Sequence, residues 1–328
     1  MSQDVYVVDV YVVIEHLLGQ VADISYLMLA AARALAQGTG GKVVAVLLGH
    51  DVPGLANDLA ADRVLYVDHP DMADFSSDAC QRVLEALIGE HRPRAVLFGD
   101  TSMGADVAAW LAARLNLPLV SSCYTFKTDG APKFVGQIYG GKIIAEGDLP
   151  GPTVLVAMVP GGFKAEQGKS TAAPEVIPTP TAALDGLRVR VRNYIEPAVG
   201  DVDVAKEPIL VAVGRGIQNQ DNIDLAKDLA KVLGGEVCGS RPVIDQGWLP
   251  TSRLVGKSGK HVKPKVYLAL GISGAPEHIE GIGDSEMIVA INTDPAAPIF
   301  NVARYGALVD LFDLLPALTE QVQQAKGR

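Results

Sequence analysis

Two rounds of one alternation predict the fold class. The chain reads as an α/β protein of two domains, an N-terminal parallel-sheet α/β domain with an antiparallel extension and a C-terminal Rossmann-like domain. Short β-branched runs alternate with Ala/Leu-rich helical segments in the first 118 residues, and the same alternation restarts after residue 208. That order is what a parallel sheet flanked by helices requires. Between the two rounds, residues 196–208 mix Pro, Gly and acids and read as a linker, so domains are expected at 1–206 and 207–328. Charge divides at the same place. Residues 1–207 carry sixteen basic and twenty-five acidic side chains, whereas 208–328 carry twelve and thirteen.

The elements follow in order. Val5–Ile14 is expected as a strand and Ile24–Gln37 as a helix with apolar residues at helical spacing. Lys42–Leu48 and Arg63–Val67 read as strands, Asp74–Gly89 as a helix with Val83, Leu84 and Leu87 on one side, Ala95–Phe98 as a strand and Gly104–Leu115 as a helix. The fully apolar runs Val43–Leu48 and Ala95–Phe98 fit strands buried on both faces. The rhythm then changes. Leu119–Thr128, Phe134–Glu146 and Thr153–Val159 are strand-like with no helix between them, joined by Asp129-Gly130, Gly140-Gly141 and Pro150-Gly151-Pro152, and they predict the antiparallel extension. Gln167–Asp185, rich in Ala, Pro and Thr, reads as loop, and Leu187–Tyr194 as a half-exposed strand. Beyond the linker come strand Ile209–Val213, helix Asp221–Leu233, strand Lys265–Leu270, a short helix from Ser273, strand Met287–Asn292 and a C-terminal helix from about Ala307.

Composition excludes several classes of function. With 48% hydrophobic and 20% charged residues, the 328-residue chain can bury sizeable cores and is not disordered. A net charge of −10 argues against nucleic acid as a partner, because phosphate neutralisation needs clustered Lys and Arg. Cys80, Cys123 and Cys238 are odd in number and far apart, which excludes a disulfide framework and a CxxC metal or redox motif and suits a reducing cytoplasm. The segment Met1–Val8 has no basic region and does not read as a signal peptide. The apolar stretch Ile24–Ala36 is too short for membrane insertion. A cytoplasmic protein without a metal site is expected. No GxSxG, HExxH or His/Cys cluster points to hydrolysis.

Three strand ends carry the candidate chemistry. Gly214-Arg215-Gly216 closes an apolar strand and opens toward a helix, the place where glycines let backbone N–H groups reach a phosphate. As a dinucleotide fingerprint it is incomplete, with Asn219 at the third glycine, and a tight strand–helix turn explains it equally well. Gly271-Ile272-Ser273-Gly274-Ala275 repeats the arrangement, and Asn292-Thr293-Asp294-Pro295 ends the next strand. Ligands in open α/β sheets sit beyond the carboxyl ends of strands, so these three loops are expected to converge on one crevice. Arg253, Lys257, Lys260, Lys263 and Lys265 fall within thirteen residues, and no acid occurs from Gln246 to Pro276, which suggests a local place for an anion. Gly136–Lys142 matches GxxxxGK but continues with Ile143 between antiparallel strands, so it reads as a turn and not as a P-loop. His16, His50, His69 and His91 read as surface or loop residues, while His278 stands at a helix start in the crevice.

Taken together, Gly214-Arg215-Gly216, Gly239-Ser240-Arg241-Pro242, Val255–Lys260, Pro264–Gly274 with His278, Val289–Pro295 and Ala297–Phe300 resemble, in this order and spacing, the FAD-binding domain of the electron-transfer flavoprotein alpha (large) subunit. The likeness is looser over Gly99-Asp100-Thr101, Ala112–Leu115 and Pro160–Ala165. The resemblance implies one FAD in this subunit, held mainly by a C-terminal FAD-binding domain. It implies a heterodimer with a beta subunit carrying AMP or a second FAD, and acyl-CoA dehydrogenase-type or quinone-reductase-type redox partners. Position by position, Arg215 and the backbone of Gly271, Ile272, Ser273 and Gly274 would meet the phosphates. Ser240 and Arg241 would lie at the isoalloxazine, Val255, Gly256, Lys257 and Ser258 would wrap the ring and ribityl, His278 with Glu277 before it would approach O2 and N1, and Asn292 and Asp310 would hold the adenosine part. No residue is expected to act as a catalyst in its own right. Arg241 and His278 would tune the flavin, with a helix N-terminus favouring negative charge near N1 and O2.

The chain departs from the family pattern at Leu254, Lys257, Ser258 and Glu277. A charged Glu277 beside His278 is expected to raise the pKa of the imidazole. The Ser240–Pro242 and Gly256–Ser258 variants lean toward the NADH-dependent, electron-bifurcating type, and the second domain is expected to swivel on its linker. Two other classes remain open at this point. One is an NAD-dependent oxidoreductase, which lacks the third glycine, the ribose carboxylate and a catalytic dyad. The other is a nucleotide-sensing module.

Overall fold

The computed structural model describes residues 8–139, 143–181, 184–194 and 202–327. Its contacts divide the chain into two units, 1–194 and 195–328. The expected strand residues Val5–Val7, the Gly140-Gly141 turn and residues 196–201 of the linker lie outside the described residues.

The first unit runs β1 (Val10–Val13), the short antiparallel pair β2 (His16–Leu17) and β3 (Gln20–Val21), α1 (Asp23–Thr39), β4 (Val43–Gly49), β5 (Arg63–Asp68), α2 (Ser77–His91), β6 (Ala95–Gly99), α3 (Gly104–Leu115), β7 (Leu119–Lys127), β8 (Lys133–Ile138), β9 (Ile143–Asp148), β10 (Val154–Met158) and β11 (Glu175–Pro178). Its large sheet has the order β11-β5-β4-β1-β6-β10-β7-β8-β9, parallel from β11 through β7. Every residue of β4 and β6 is buried, as their unbroken apolar sequences require. One core packs under α1 and the other under α2 and α3. Ser76 caps α2 by accepting the Ala79 N–H.

Three expectations change here. The antiparallel extension consists of β8 and β9 alone, and β10 lies parallel between β6 and β7. All five residues of β10 are buried, so it has no polar face with which to serve as an outer strand. Within the segment read as loop, β11 adds in parallel to the free edge of β5. Conversely, 187–194 forms no strand. Val189, Val191 and Tyr194 are exposed there, and Arg188 pairs with Asp78 instead.

Glu15, just past β1, is buried at the mouth of this sheet, and its carboxylate accepts the Thr101 hydroxyl at 2.9 Å. A Cβ on Gly99 or Gly104 would stand 2.5 or 2.7 Å from Glu15 Oε1, so the two glycines make its room. Burial raises the Glu15 pKa, against the lowering effect of the Thr101 hydroxyl and the Gly99 backbone. A carboxyl whose folded-state pKa lies above its unfolded value binds more protons when folded, so stability falls as pH rises between the two values. Glu15→Gln is therefore expected to melt higher than the wild type above neutrality, with the gap closing near the ordinary value of 4.5. Superimposable melting curves at alkaline pH would contradict this.

The second unit runs β12 (Ile209–Val213), α4 (Ile223–Leu233), β13 (Glu236–Gly239), α5 (Arg241–Asp245), β14 (Val266–Leu270), α6 (Pro276–Glu280), β15 (Ile288–Asn292), β16 (Tyr305–Leu308) and α7 (Leu311–Lys326). Its sheet is parallel throughout, in the order β13-β12-β14-β15-β16. Two of these strands, β13 and β16, are absent from the sequence reading, and α7 starts four residues later than expected because Tyr305–Leu308 is strand. Val204 is fully buried in one of this unit's two cores. The chain leaves β12 first to one side, for β13, and then to the other, for β14. That reversal opens a crevice beyond the carboxyl ends of β12 and β14.

Candidate functional site

The crevice holds a cleft of about 620 Å³. Its walls come from five places: Arg215 and Gly216 after β12, Ser240, Arg241 and Pro242 after β13, the loop Leu254–Ser258, the loop Gly271–Ala275 after β14 with Glu277 and His278 of α6, and Asn292 at the end of β15. Every residue expected at the site lines this cleft except Asp310. The Asp310 carboxylate accepts the Phe312 N–H at 2.9 Å and caps α7, one residue beyond the Val309 N–H that bonds the Asn292 carbonyl. The residues overlooked as walls, Gly216, Pro242, Leu254 and Ala275, each adjoin an expected one.

Glycines let the strand ends come together. A Cβ on Gly214 would stand 2.3 Å from the Gly271 carbonyl oxygen, and one on Gly216 2.7 Å from Gly271 Cα. Gly274, at φ +83°, lies against the Ile299 backbone. Among the described residues, the N–H groups of Ile272, Ser273, Gly274 and Ala275 donate to no acceptor in the chain. Four consecutive free donors, with left-handed glycines at 271 and 274, are the kind of backbone that can receive an anion.

The cations are placed differently from the sequence expectation. Of the basic run, only Lys257 lines the cleft, and its ammonium lies 3.5 Å from Glu280. Arg253 bonds Glu236 and the Val237 carbonyl, and Lys260 lies 3.8 Å from Asp203. Arg215, exposed, has no carboxylate within ion-pair distance among the described residues. Arg241 is held across the rim, its Nε donating to Asp245 at 2.6 Å and a terminal nitrogen to the Ser258 hydroxyl at 3.3 Å. The loop Val255–Ser258 is fastened by the Val255 N–H to Gly239 and the Lys257 N–H to the Glu277 carbonyl.

His278 is buried, with Nε2 3.0 Å from the hydroxyl of Tyr267 and Nδ1 shielded from solvent beside the Val255 backbone. Burial pushes the imidazole pKa down to about 4, only partly opposed by the Val255 backbone. The expected rise from Glu277 is corrected: Glu277 is exposed and is not among the groups acting on the ring, so desolvation decides the direction. The imidazole is neutral at pH 7.

Asn292 joins two loops, its Nδ2 donating to the Ile272 carbonyl and its Oδ1 accepting the Asp294 N–H, at 2.9 and 3.0 Å. Asn292→Ala is expected to cost about 1–2 kcal/mol of stability, one to two hydrogen bonds, and to weaken cofactor retention through the Ile272 loop. Calorimetry with an unchanged melting temperature would show that the bridge contributes nothing.

Residues 10–184 match the family model described as the electron transfer flavoprotein domain, and residues 203–283 the one described as the electron transfer flavoprotein FAD-binding domain. An electron transfer flavoprotein subunit alpha of Thermoanaerobacterium thermosaccharolyticum is 34% identical over 97% of this chain and 98% of its own. The chain belongs to the electron transfer flavoprotein family, as an alpha subunit. A protein FixB of Clostridium saccharobutylicum is 36% identical over 96% of both chains. An acryloyl-CoA reductase electron transfer subunit beta of Anaerotignum propionicum is 35% identical over 97% of this chain and 96% of its own. All of the cleft's walls except Asn292 lie within the residues that match the FAD-binding domain, and their chemistry fits that cofactor: a run of free N–H groups and an Arg215 without a carboxylate partner among the described residues suit a pyrophosphate. None of the helices described is long and apolar enough to cross a membrane.

Proposed function

We propose that this chain holds FAD in the second unit's cleft, pairs with an electron-transfer flavoprotein beta subunit, and relays electrons from acyl-CoA dehydrogenase-type flavoproteins to an acceptor such as a quinone reductase. The observation that carries this reading is the convergence of free N–H donors, Arg215 and the buried His278 side chain on one cleft at the reversal of the strand order. The relative named for acryloyl-CoA reductase supports partners that act on acyl-CoA compounds.

When bound, the isoalloxazine supplies one- and two-electron chemistry. The chain's own residues bind and orient. The Gly271–Ala275 loop and Arg215 hold phosphate oxygens, Ser240 and Arg241 with the Val255–Ser258 loop flank the ring, and Asn292 keeps the Ile272 loop in place. His278, buried and neutral, meets the ring as an uncharged group.

Co-purifying the chain with its beta subunit and counting nucleotides tests the proposal. One flavin with AMP is expected for simple carriage, and two flavins for an NADH-oxidising, bifurcating pair. A colourless heterodimer that takes up no added FAD would overturn the reading and return the cleft to a nicotinamide or sensing role.

A further inference from the structure

His278 is one end of a buried polar chain that reaches back through the sheet. Tyr267, on β14, and Cys238, on β13, are both fully buried. The Tyr267 hydroxyl lies 3.0 Å from His278 Nε2, the two rings meeting at 54° with centroids 6.0 Å apart. The Cys238 thiol is close enough to Tyr267 for each to alter the other's proton affinity. The far nitrogen, Nδ1, is shielded from solvent and lies beside the Val255 backbone, in a residue of the cleft wall.

A neutral imidazole carries one proton, and the nitrogen that keeps it is set by what the other nitrogen bonds. Burial holds the Tyr267 phenol protonated, its pKa far above the ordinary value of 10. A buried O–H needs an acceptor, and among the described residues the one within hydrogen-bond distance of this hydroxyl is the imidazole nitrogen. Were Nε2 to hold the proton, the phenol O–H would lose that acceptor, and a bare Nδ1 lone pair would face the Val255 backbone. Donation from Tyr267 to Nε2 removes both mismatches.

We propose that Tyr267 is a positioning residue that fixes His278 in the Nδ1–H tautomer, so that the ring gives its N–H to the Val255 backbone and ties the Val255–Ser258 wall of the cleft to β14. The inference rests on the reading of the cleft as the FAD site for its consequence, not for its cause, because the tautomer is a property of the chain itself.

Long-range 15N–1H correlation spectra of the full-length chain labelled at its six histidines test this directly. His278 is assigned by loss of its signals in His278→Gln. At pH 7 the expected pattern is a protonated Nδ1 and a bare Nε2. In Tyr267→Phe, which keeps the ring and removes the donor, the pattern is expected to shift toward Nε2–H, and FAD binding in the heterodimer is expected to weaken roughly three- to tenfold, the value of one hydrogen bond. A wild-type spectrum with the proton on Nε2 overturns the proposal whether or not Tyr267→Phe folds. A correct tautomer in a chain that binds no FAD would instead leave the positioning role standing and strike only the cofactor reading.

Discussion

Gly274→Val is expected to abolish FAD retention while preserving the secondary structure. Gly274 sits at φ +83°, where a β-branched residue is a severe outlier. A Cβ there would stand 2.3 Å from the Ile299 nitrogen and 2.6 Å from its Cα. Both are backbone atoms, and the Ile299 N–H already donates to the Ser273 carbonyl at 3.0 Å. The loop can accommodate the side chain only by moving away from Ile299, which breaks that bond and turns the N–H groups of Ile272–Ala275 out of register. Backbone strain contributes about 1–2 kcal/mol and the lost bond about another 1 kcal/mol. Flavin content of the purified heterodimer should fall below about a tenth of wild type, since 1.4 kcal/mol is already tenfold. Gly247→Ala is the control: φ is +72° but nothing lies within 4 Å, so it carries the strain without the collision and should keep its flavin. Full flavin content in Gly274→Val, with an unchanged circular dichroism spectrum, would show that the loop is not the anion receptor.

How much of this was legible in the sequence follows from which signals are local. The strands β12, β14 and β15 announce themselves as continuous apolar runs, because a central parallel strand is buried on both faces. Strand β13, Glu236-Val-Cys-Gly, and strand β16, Tyr305-Gly-Ala-Leu, are four residues long and Gly-ended or Gly-interrupted. They are strands because neighbours offer them a backbone edge, which no window of sequence records. The same holds for β11 beside β5. The glycine loops at 214, 256 and 271–274 were legible, since close backbone approach leaves its mark in the residue type itself. The charge run from Arg253 to Lys265 misled, because Glu236, Glu280 and Asp203, which engage three of its members, lie elsewhere in the chain. His278 was legible in position but not in protonation. Its neighbour Glu277 is next to it in sequence yet on the exposed side of a short helix, and the surrounding apolar packing that lowers its pKa is assembled only by the fold. Tyr267 gives no sequence signal at all, since a tyrosine within an apolar strand reads as core.

Arg215→Glu should weaken FAD binding by about a hundredfold or more without a measurable cost in folding. The side chain is exposed, lies on the cleft rim and has no carboxylate partner among the described residues, so no interaction within the chain is lost when it is replaced. A charge-assisted bond to a phosphate oxygen is worth about 1.5–3 kcal/mol, which is about ten- to a hundredfold in affinity, and reversing the charge adds repulsion from a pyrophosphate close by. That repulsion acts between solvent-exposed charges and must shrink as salt shortens the Debye length from about 10 Å at 0.1 M to about 3 Å at 1 M. Titration of the flavin-free heterodimer should therefore give curves for Arg215→Glu and wild type that approach one another at high salt. Riboflavin, which has no phosphate, separates the two ends of the cleft: its binding should be unchanged in Arg215→Glu and weakened in Arg241→Ala, whose guanidinium is held over the opposite rim by Asp245 and Ser258. Equal FAD affinity for Arg215→Glu and wild type at low salt would place the phosphates elsewhere in the cleft. A loss of riboflavin binding in Arg215→Glu would reverse the orientation assigned to the cofactor.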